Sequence, residues 1–320
     1  MLTYLLFFVG IYLLIQGANY LVDGSSALAK RFGVSTLVVG LTIVAFGTSM
    51  PELVVNVISA LKGVGDIAFG NIIGSNIANI ALILGITAAI AGIKISHSTI
   101  WKEIPFSLLA VLVLIVYASA QFLDNTGAEF IFRSSGIVLL LFFAIFLYYA
   151  FELAKKSQVK IEETAVTFHK HSMPRIIGSI LGGLIALYLG GQWTVDGAVV
   201  IAKLLGLSEY LISLTVIAIG TSLPELVTSV AAAIKKIPDM AVGNIVGSNI
   251  FNIFWILGVT AIIRPLPLPH FANIDLFILL AITALLFVFM FIGRKHELER
   301  WQGISFLAIY AIYLIYIVLR

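Results

Sequence analysis

A hexapeptide ending in proline and glutamate occurs twice in this chain, each time inside a stretch apolar enough to cross a membrane. Gly47-Thr48-Ser49-Met50-Pro51-Glu52 returns as Gly220-Thr221-Ser222-Leu223-Pro224-Glu225. A second block, from Gly70-Asn71 through Gly74-Ser75-Asn76 to Asn79, returns from Gly243-Asn244 through Gly247-Ser248-Asn249 to Asn252. Both blocks are displaced by the same 173 residues (225 − 52 and 252 − 79), so nothing is inserted between them. The match reaches back to Gly17, Asp23, Gly24 and Lys30, which correspond to Gly190, Asp196, Gly197 and Lys203. A charge in the middle of an apolar span is costly and marks a functional site by default. Two such charges in register point to a membrane protein assembled from two like halves, as transporters with internal repeats are.

Composition agrees. Hydrophobic residues make up 61% of the 320 and charged residues 11%, where a soluble domain carries about a quarter. The mean hydropathy is +1.11, and no hydrophilic stretch is long enough to fold as a separate soluble domain. A net charge of +3 makes no case for nucleic acid as a partner; the partner is the lipid bilayer. With no cysteine, disulfides, thiolate metal sites and thiol nucleophiles are excluded. The opening run from Leu2 to Val22 lacks the basic start and cleavage site of a signal peptide and reads as a retained first helix.

A helical span needs about 20 apolar residues. On that scale ten spans are expected: 2–22, 35–60, 67–92, 102–122, 134–153, 175–203, 209–234, 240–263, 272–293 and 301–319. They form two sets of five, 1–153 and 175–320, joined by a polar connector at 154–174. Most of the 19 lysines and arginines then gather on one side, including Lys30, Arg31, Lys94, Lys155, Lys156, Lys235 and Arg294. The other side keeps Lys62, Arg133, Lys203, Arg264 and Arg320. By the positive-inside rule both termini lie outside and the connector is cytoplasmic. Five is odd, so the second set enters from the opposite face and the repeats are inverted. The expected fold is therefore an all-α polytopic membrane protein of two inverted five-helix repeats, with helices 2, 3, 7 and 8 broken around a midplane site.

Proline lacks an N–H and clashes with the carbonyl four residues back. Pro51 and Pro224, each preceded by a glycine, should break the second and seventh helices at mid-membrane, a depth where irregular backbone survives only inside protein or beside water. Freed carbonyls, the hydroxyls of Thr48, Ser49, Thr221 and Ser222, and two carboxylates then converge. All are oxygens, which suit hard cations such as Ca²⁺, and Na⁺ is of similar size. A packing kink with a protonated glutamate would explain one copy; two copies with no basic partner at that depth favour a site. The glycines of the second block suit close helix packing. Ser75 with Asn79, and Ser248 with Asn252, share a helix face at i and i+4, and both asparagines read as ligands. Asn71, Asn76, Asn244 and Asn249 stay undecided. Asp23 and Asp196 sit at span ends and read as boundary charges. Glu162, Glu163, His169 and His171 belong to a solvated connector.

These paired motifs resemble the cation/calcium exchanger superfamily, in particular its prokaryotic sodium/calcium exchanger branch, over nearly the whole chain. The resemblance implies ten helices, alternating access and four cation sites among the second, third, seventh and eighth helices. It implies Glu52 and Glu225 as central carboxylates for Ca²⁺ and Na⁺, with Thr48, Thr221 and the carbonyls of Ala45 and Ala218 completing the calcium shell. Ser49, Ser75, Ser222 and Ser248 would serve flanking sodium sites, with Asn79 beside them, and the first and sixth helices would slide as the gate. One departure stands out: members of the branch carry aspartate where this chain has Asn252, which removes a titratable group from the cluster.

The resulting expectation is a secondary antiporter, not an enzyme. It exchanges Ca²⁺ against Na⁺ across the cell membrane as cargo, exports Ca²⁺, and needs no cofactor. Calcium/proton exchange on the same fold is the nearest alternative, and a passive channel the next, though that more naturally forms a symmetric oligomer around a pore. An intramembrane hydrolase would need a nucleophile–base pair or His-Glu-x-x-His, which is missing. The chain can act as a monomer, and nothing in its sequence speaks against an oligomer.

Overall fold

The computed structural model describes residues 2–63, 65–119, 130–156, 172–206, 218–269 and 272–319. It is helical apart from two ribbons with two residues per strand. Helix α1 covers Leu2–Phe32. Helix α2 consists of Thr36–Thr48 and Met50–Lys62, bent by 44°. Helices α3 (Ile67–Ala91), α4 (Thr99–Ala118), α5 (Arg133–Lys156) and α6 (Met173–Leu204) follow. Helix α7 comprises Ala218–Thr221 and Leu223–Ile234. Helices α8 (Pro238–Ile263), α9 (Ala272–Phe289) and α10 (Arg300–Leu319) complete the order.

Among the described residues eight helices are long and apolar enough to span a membrane, and the bent α2 makes nine. The seventh expected span is described only from Ala218, its first residues lying outside the described set. So do residues 120–122 of the fourth span and most of the connector, with its two histidines. Helix α1 continues well past the expected end at Val22, because Ser25 and Ser26 are buried in its packing rather than lost to solvent.

The expected break of helices 3 and 8 is not found: both are continuous. Their motif residues keep their N–H groups, and the one proline, Pro238, stands in the first turn, where no bond is lost. What the motif does instead is shift the ladder to π-helical spacing, over Ala78–Leu84 in α3 and Phe251–Leu257 in α8. These π turns carry Asn79 and Asn252, and such turns are frequent at functional sites.

Helices α3 and α8 are the centre of the molecule. Of their most apolar windows 78% and 83% are buried, against 17% for α5, so residues apolar on every side of α3 and α8 pack in protein while those of α5 face outward. Around them α4, α5, α9 and α10 build the main core, with Phe146, Phe254 and Phe306 fully buried. Helices α1 and α6 belong to a second cluster with Leu14, Leu21, Ile180 and Leu187. They run antiparallel and nearly backbone to backbone, since Gly10 lies against Gly190 and Gly17 against Gly183. A Cβ on Gly183 would come within 2.8 Å of Gly17 O, and one on Gly17 within 2.9 Å of Gly183 O.

The last two helices of each set show no sequence match, yet they make corresponding contacts. Gly85 of α3 meets the carbonyl of Gly303 in α10, and Gly258 of α8 meets that of Gly136 in α5. The ribbons tie loops across the molecule: Ile93–Lys94 pairs with Glu297–Leu298, and Phe130–Ile131 with Leu266–Pro267.

Candidate cation site

The proline–glutamate motifs break α2 and α7 at equivalent serines. Ser49 adopts φ −84°, ψ 7° and Ser222 φ −90°, ψ 7°, so each helix stops and restarts with proline in its new first turn. Glu52 and Glu225 lie in that first turn, where the helix dipole favours a negative charge. Each is 1% exposed, and neither meets a basic side chain among the described residues.

The two halves bond to each other reciprocally. Ser49 Oγ donates to Glu225 Oε1 at 3.0 Å, and Ser222 Oγ donates to Glu52 Oε1 at 3.4 Å. Thr48 Oγ1 donates to Asn244 Oδ1 at 3.0 Å, and Thr221 Oγ1 to Asn71 Oδ1 at 3.5 Å. Asn79 Nδ2 donates to Asn249 Oδ1 at 2.9 Å, and Asn252 Nδ2 to Asn76 Oδ1 at 3.2 Å. In each pair, adding 173 to one partner and subtracting it from the other turns the first bond into the second. Ser248 Oγ also reaches Glu225 Oε1 at 3.5 Å, while Ser75 Oγ accepts from Asn252 at 3.1 Å.

These bonds leave two amide donors, Asn71 Nδ2 and Asn76 Nδ2, and a larger set of acceptors without partners. Glu52 Oε2, Glu225 Oε2, Asn79 Oδ1 and Asn252 Oδ1 are buried with no hydrogen-bond partner. A buried orphan acceptor costs roughly 1–3 kcal/mol, more when charged, so four in repeat-related positions need a positive counterpart. The hydroxyls of Thr48 and Thr221 donate to asparagines and keep oxygen lone pairs for a cation. Ala45 O accepts the Ser49 N–H at 3.0 Å and the Thr48 hydroxyl at 3.4 Å. In α7 the Ser222 N–H turns to Ile219 O rather than Ala218 O, a tighter break.

Eleven of the twelve predicted site residues thus take part in these hydrogen bonds, Ala45 through its carbonyl and Asn79 and Asn252 through the asparagines of α3 and α8. Ala218 stands at the start of the short α7 segment. All four undecided asparagines join the cluster as well. Sequence reading passed over Asn56 and Ser229. Asn56 Nδ2 donates to Glu52 O at 2.7 Å, and Asn244 Nδ2 to Ser229 Oγ at 3.0 Å. Their common offset of 173 was the signal available. Asp23, read as a boundary charge, is in addition paired with Lys235 at 2.7 Å.

Known proteins align with this architecture. The family model described as "Sodium/calcium exchanger protein" matches residues 2–152 and 175–319. An uncharacterized membrane protein of Methanocaldococcus jannaschii is 35% identical, with 96% of this chain and 95% of the relative covered. The sodium/calcium exchanger MaX1 of Methanosarcina acetivorans is 30% identical, covering 98% of this chain and 97% of its own. A solved structure of the sodium-calcium exchanger NCX_Mj, soaked with Na⁺ and Ca²⁺, superposes with a TM-score of 0.82 at 34% identity, covering 98% of both chains. With its family model matched over both halves, this chain belongs to the sodium/calcium exchanger family of membrane antiporters.

Proposed function

We propose that the protein exchanges Ca²⁺ for Na⁺ by alternating access through one site centred on Glu52 and Glu225, and that in a cell it uses inward Na⁺ flow to extrude Ca²⁺. The observation that carries this reading is the set of repeat-paired orphan acceptors in a buried cluster with no basic residue among the described residues. Two carboxylates balance one divalent ion or two monovalent ones, so the same oxygens can take either cargo in turn. Thr48, Thr221 and the carbonyls of Ala45 and Ala218 complete the calcium shell; Ser49, Ser75, Ser222, Ser248, Asn79 and Asn252 serve the flanking Na⁺. The exchangers among its relatives support Na⁺ as the coupling ion.

The halves 1–153 and 175–320 form inverted five-helix repeats, ten helices in all. Reciprocal contacts of the kind described above arise across a two-fold axis. Because α1 and α6 are repeat partners and run antiparallel, that axis lies across them, in the membrane plane. The termini are outside and the 154–174 connector is cytoplasmic, by the placement of lysine and arginine.

Reconstituted in calcium-loaded or calcium-free liposomes, the protein is expected to move Ca²⁺ against an imposed Na⁺ gradient. Uptake driven by a pH gradient alone would replace the Na⁺ reading with proton exchange, and flux needing no ion on the far side would indicate a channel.

Position 252 tests the departure from the family pattern. Asn252 donates to both Ser75 and Asn76 through its amide, whereas an aspartate could donate to one of them, and only when protonated. Asn252→Asp is therefore expected to restore a titrating group and to steepen the pH profile of Ca²⁺ transport. A profile identical to that of the unaltered protein would mean that residue 252 does not face the ions.

A further inference from the structure

The repeat carries a second charged pair, remote from the two glutamates, and its two copies are in opposite states. Asp23 and Lys235 have Asp196 and Lys62 as their counterparts at the same offset of 173, and Asn19 has Gln192. At one end of the molecule the pair is made: Lys235 Nζ donates to Asp23 Oδ1 at 2.7 Å and to the carbonyl of Asn19 at 3.2 Å. Arg175 of α6 lines a neighbouring cleft together with Asp23. At the other end, Asp196 and Lys62 form neither an ion pair nor a hydrogen bond among the described residues.

Packing differs in the same sense. Helix α1 runs along the second half of α7, whereas α6 hardly touches the second half of α2. Between those surfaces lies a cavity of about 240 Å³ lined by Val55, Gln192, Asp196, Thr221, Pro51 and Pro224. It reaches both motif prolines and Thr221 of the cation cluster. The groove at the opposite end, of about 470 Å³ between Asn19, Ile86, Leu226, Val230 and Lys235, includes no residue of either hexapeptide.

From this juxtaposition we infer that Asp23–Lys235 and Asp196–Lys62 are the two positions of one alternating ionic latch. The pair that is made pins the α1–α6 bundle over its own end of the site and leaves the other end open. When the bundle moves to expose the Asp23 end, that pair parts and Lys62 closes on Asp196. The inference rests on the alternating access proposed above and adds the groups that hold each state. The Asp23 and Lys235 side chains are 44% and 27% exposed, so the latch biases the equilibrium modestly and does not freeze it. A partly exposed pair of this kind is worth about a two- to fivefold shift in population.

The chain has no cysteine, so Gln192→Cys and Asn19→Cys report the two ends cleanly through their reaction rates with a charged, membrane-impermeant thiol reagent. Cys at 192 is expected to react faster than Cys at 19. Asp23→Asn should slow the reaction at 192 and speed it at 19, about two- to fivefold, and Lys235→Gln should do the same. Asp196→Asn should do the reverse, and Asp23→Lys combined with Lys235→Asp should restore the original rates. Rates that do not move, or that move in the same direction in the Asp23 and Asp196 variants, overturn the latch. The readout is separate from the coupling ion: opposite shifts with uptake driven by protons would keep the latch and sink the Na⁺ reading.

Discussion

Glu52→Gln and Glu225→Gln are each expected to abolish Ca²⁺ exchange while leaving the fold intact. Glutamine keeps the volume of glutamate, and its amide oxygen can still accept from Ser222 or Ser49, which donate to Glu52 and Glu225 at 3.4 and 3.0 Å. What is lost is one of two negative charges in a buried cluster with no third acid. Among the described residues no three or more histidine, cysteine, aspartate or glutamate side chains are grouped so that they could hold a metal ion. Removing one partner of a buried charge pair costs about 3–5 kcal/mol, which is on the order of a hundred- to several-thousandfold in affinity. The measurement is ⁴⁵Ca²⁺ uptake into liposomes, with thermal denaturation in the presence and absence of Ca²⁺ as the control for folding. Both variants should unfold near the temperature of the unaltered protein and lose the Ca²⁺-dependent shift. Transport at the original rate in both would place the site elsewhere.

The second large effect is expected at the crossing of α1 and α6. A Cβ on Gly183 would stand 2.7 Å from Leu21 N and 2.8 Å from Gly17 O, both backbone atoms that cannot turn aside. Gly183→Leu must therefore part the two helices, and overpacking of this kind costs about 1–3 kcal/mol. A Cβ on its neighbour Gly182 would meet nothing within 4 Å, because that residue faces away from the crossing. Gly183→Leu should lower the midpoint of thermal unfolding and the rate of Ca²⁺ uptake together, while Gly182→Leu should leave both unchanged. Equal behaviour of the two variants would mean that the close crossing is not what holds α1 and α6 together.

Proline was the most legible element of the site. Pro51 and Pro224 announced breaks at α2 and α7 because a missing N–H acts locally, whatever surrounds it. The second block was harder to read. Glycine, asparagine and serine remove no backbone donor, so whether α3 and α8 broke or shifted to π spacing depended on what packed beside them. The asparagines were ambiguous for the same reason: an amide can serve packing or a site, and only the partners of Asn71, Asn76, Asn244 and Asn249 distinguish the two. The register of the last two helices in each half was not legible at all. Their contacts at Gly303 and Gly136 correspond, but lipid-facing and core-facing apolar residues are interchangeable enough for sequence similarity to disappear while packing persists.

By itself the sequence determined that this is a membrane protein of two like halves, each burying one glutamate beside a proline. Composition, span length and an unbroken offset carry that much, since each is a property of the chain read along its length. The tertiary structure alone decided that Ser49 answers to Glu225 and Ser222 to Glu52, which turns two motifs into one cluster. It also decided that Asp23 meets Lys235 while Asp196 stands apart from Lys62. Spacing along a chain cannot express either fact, because a contact between halves depends on how they are placed against each other, and two identical motifs can be bonded differently in any one state.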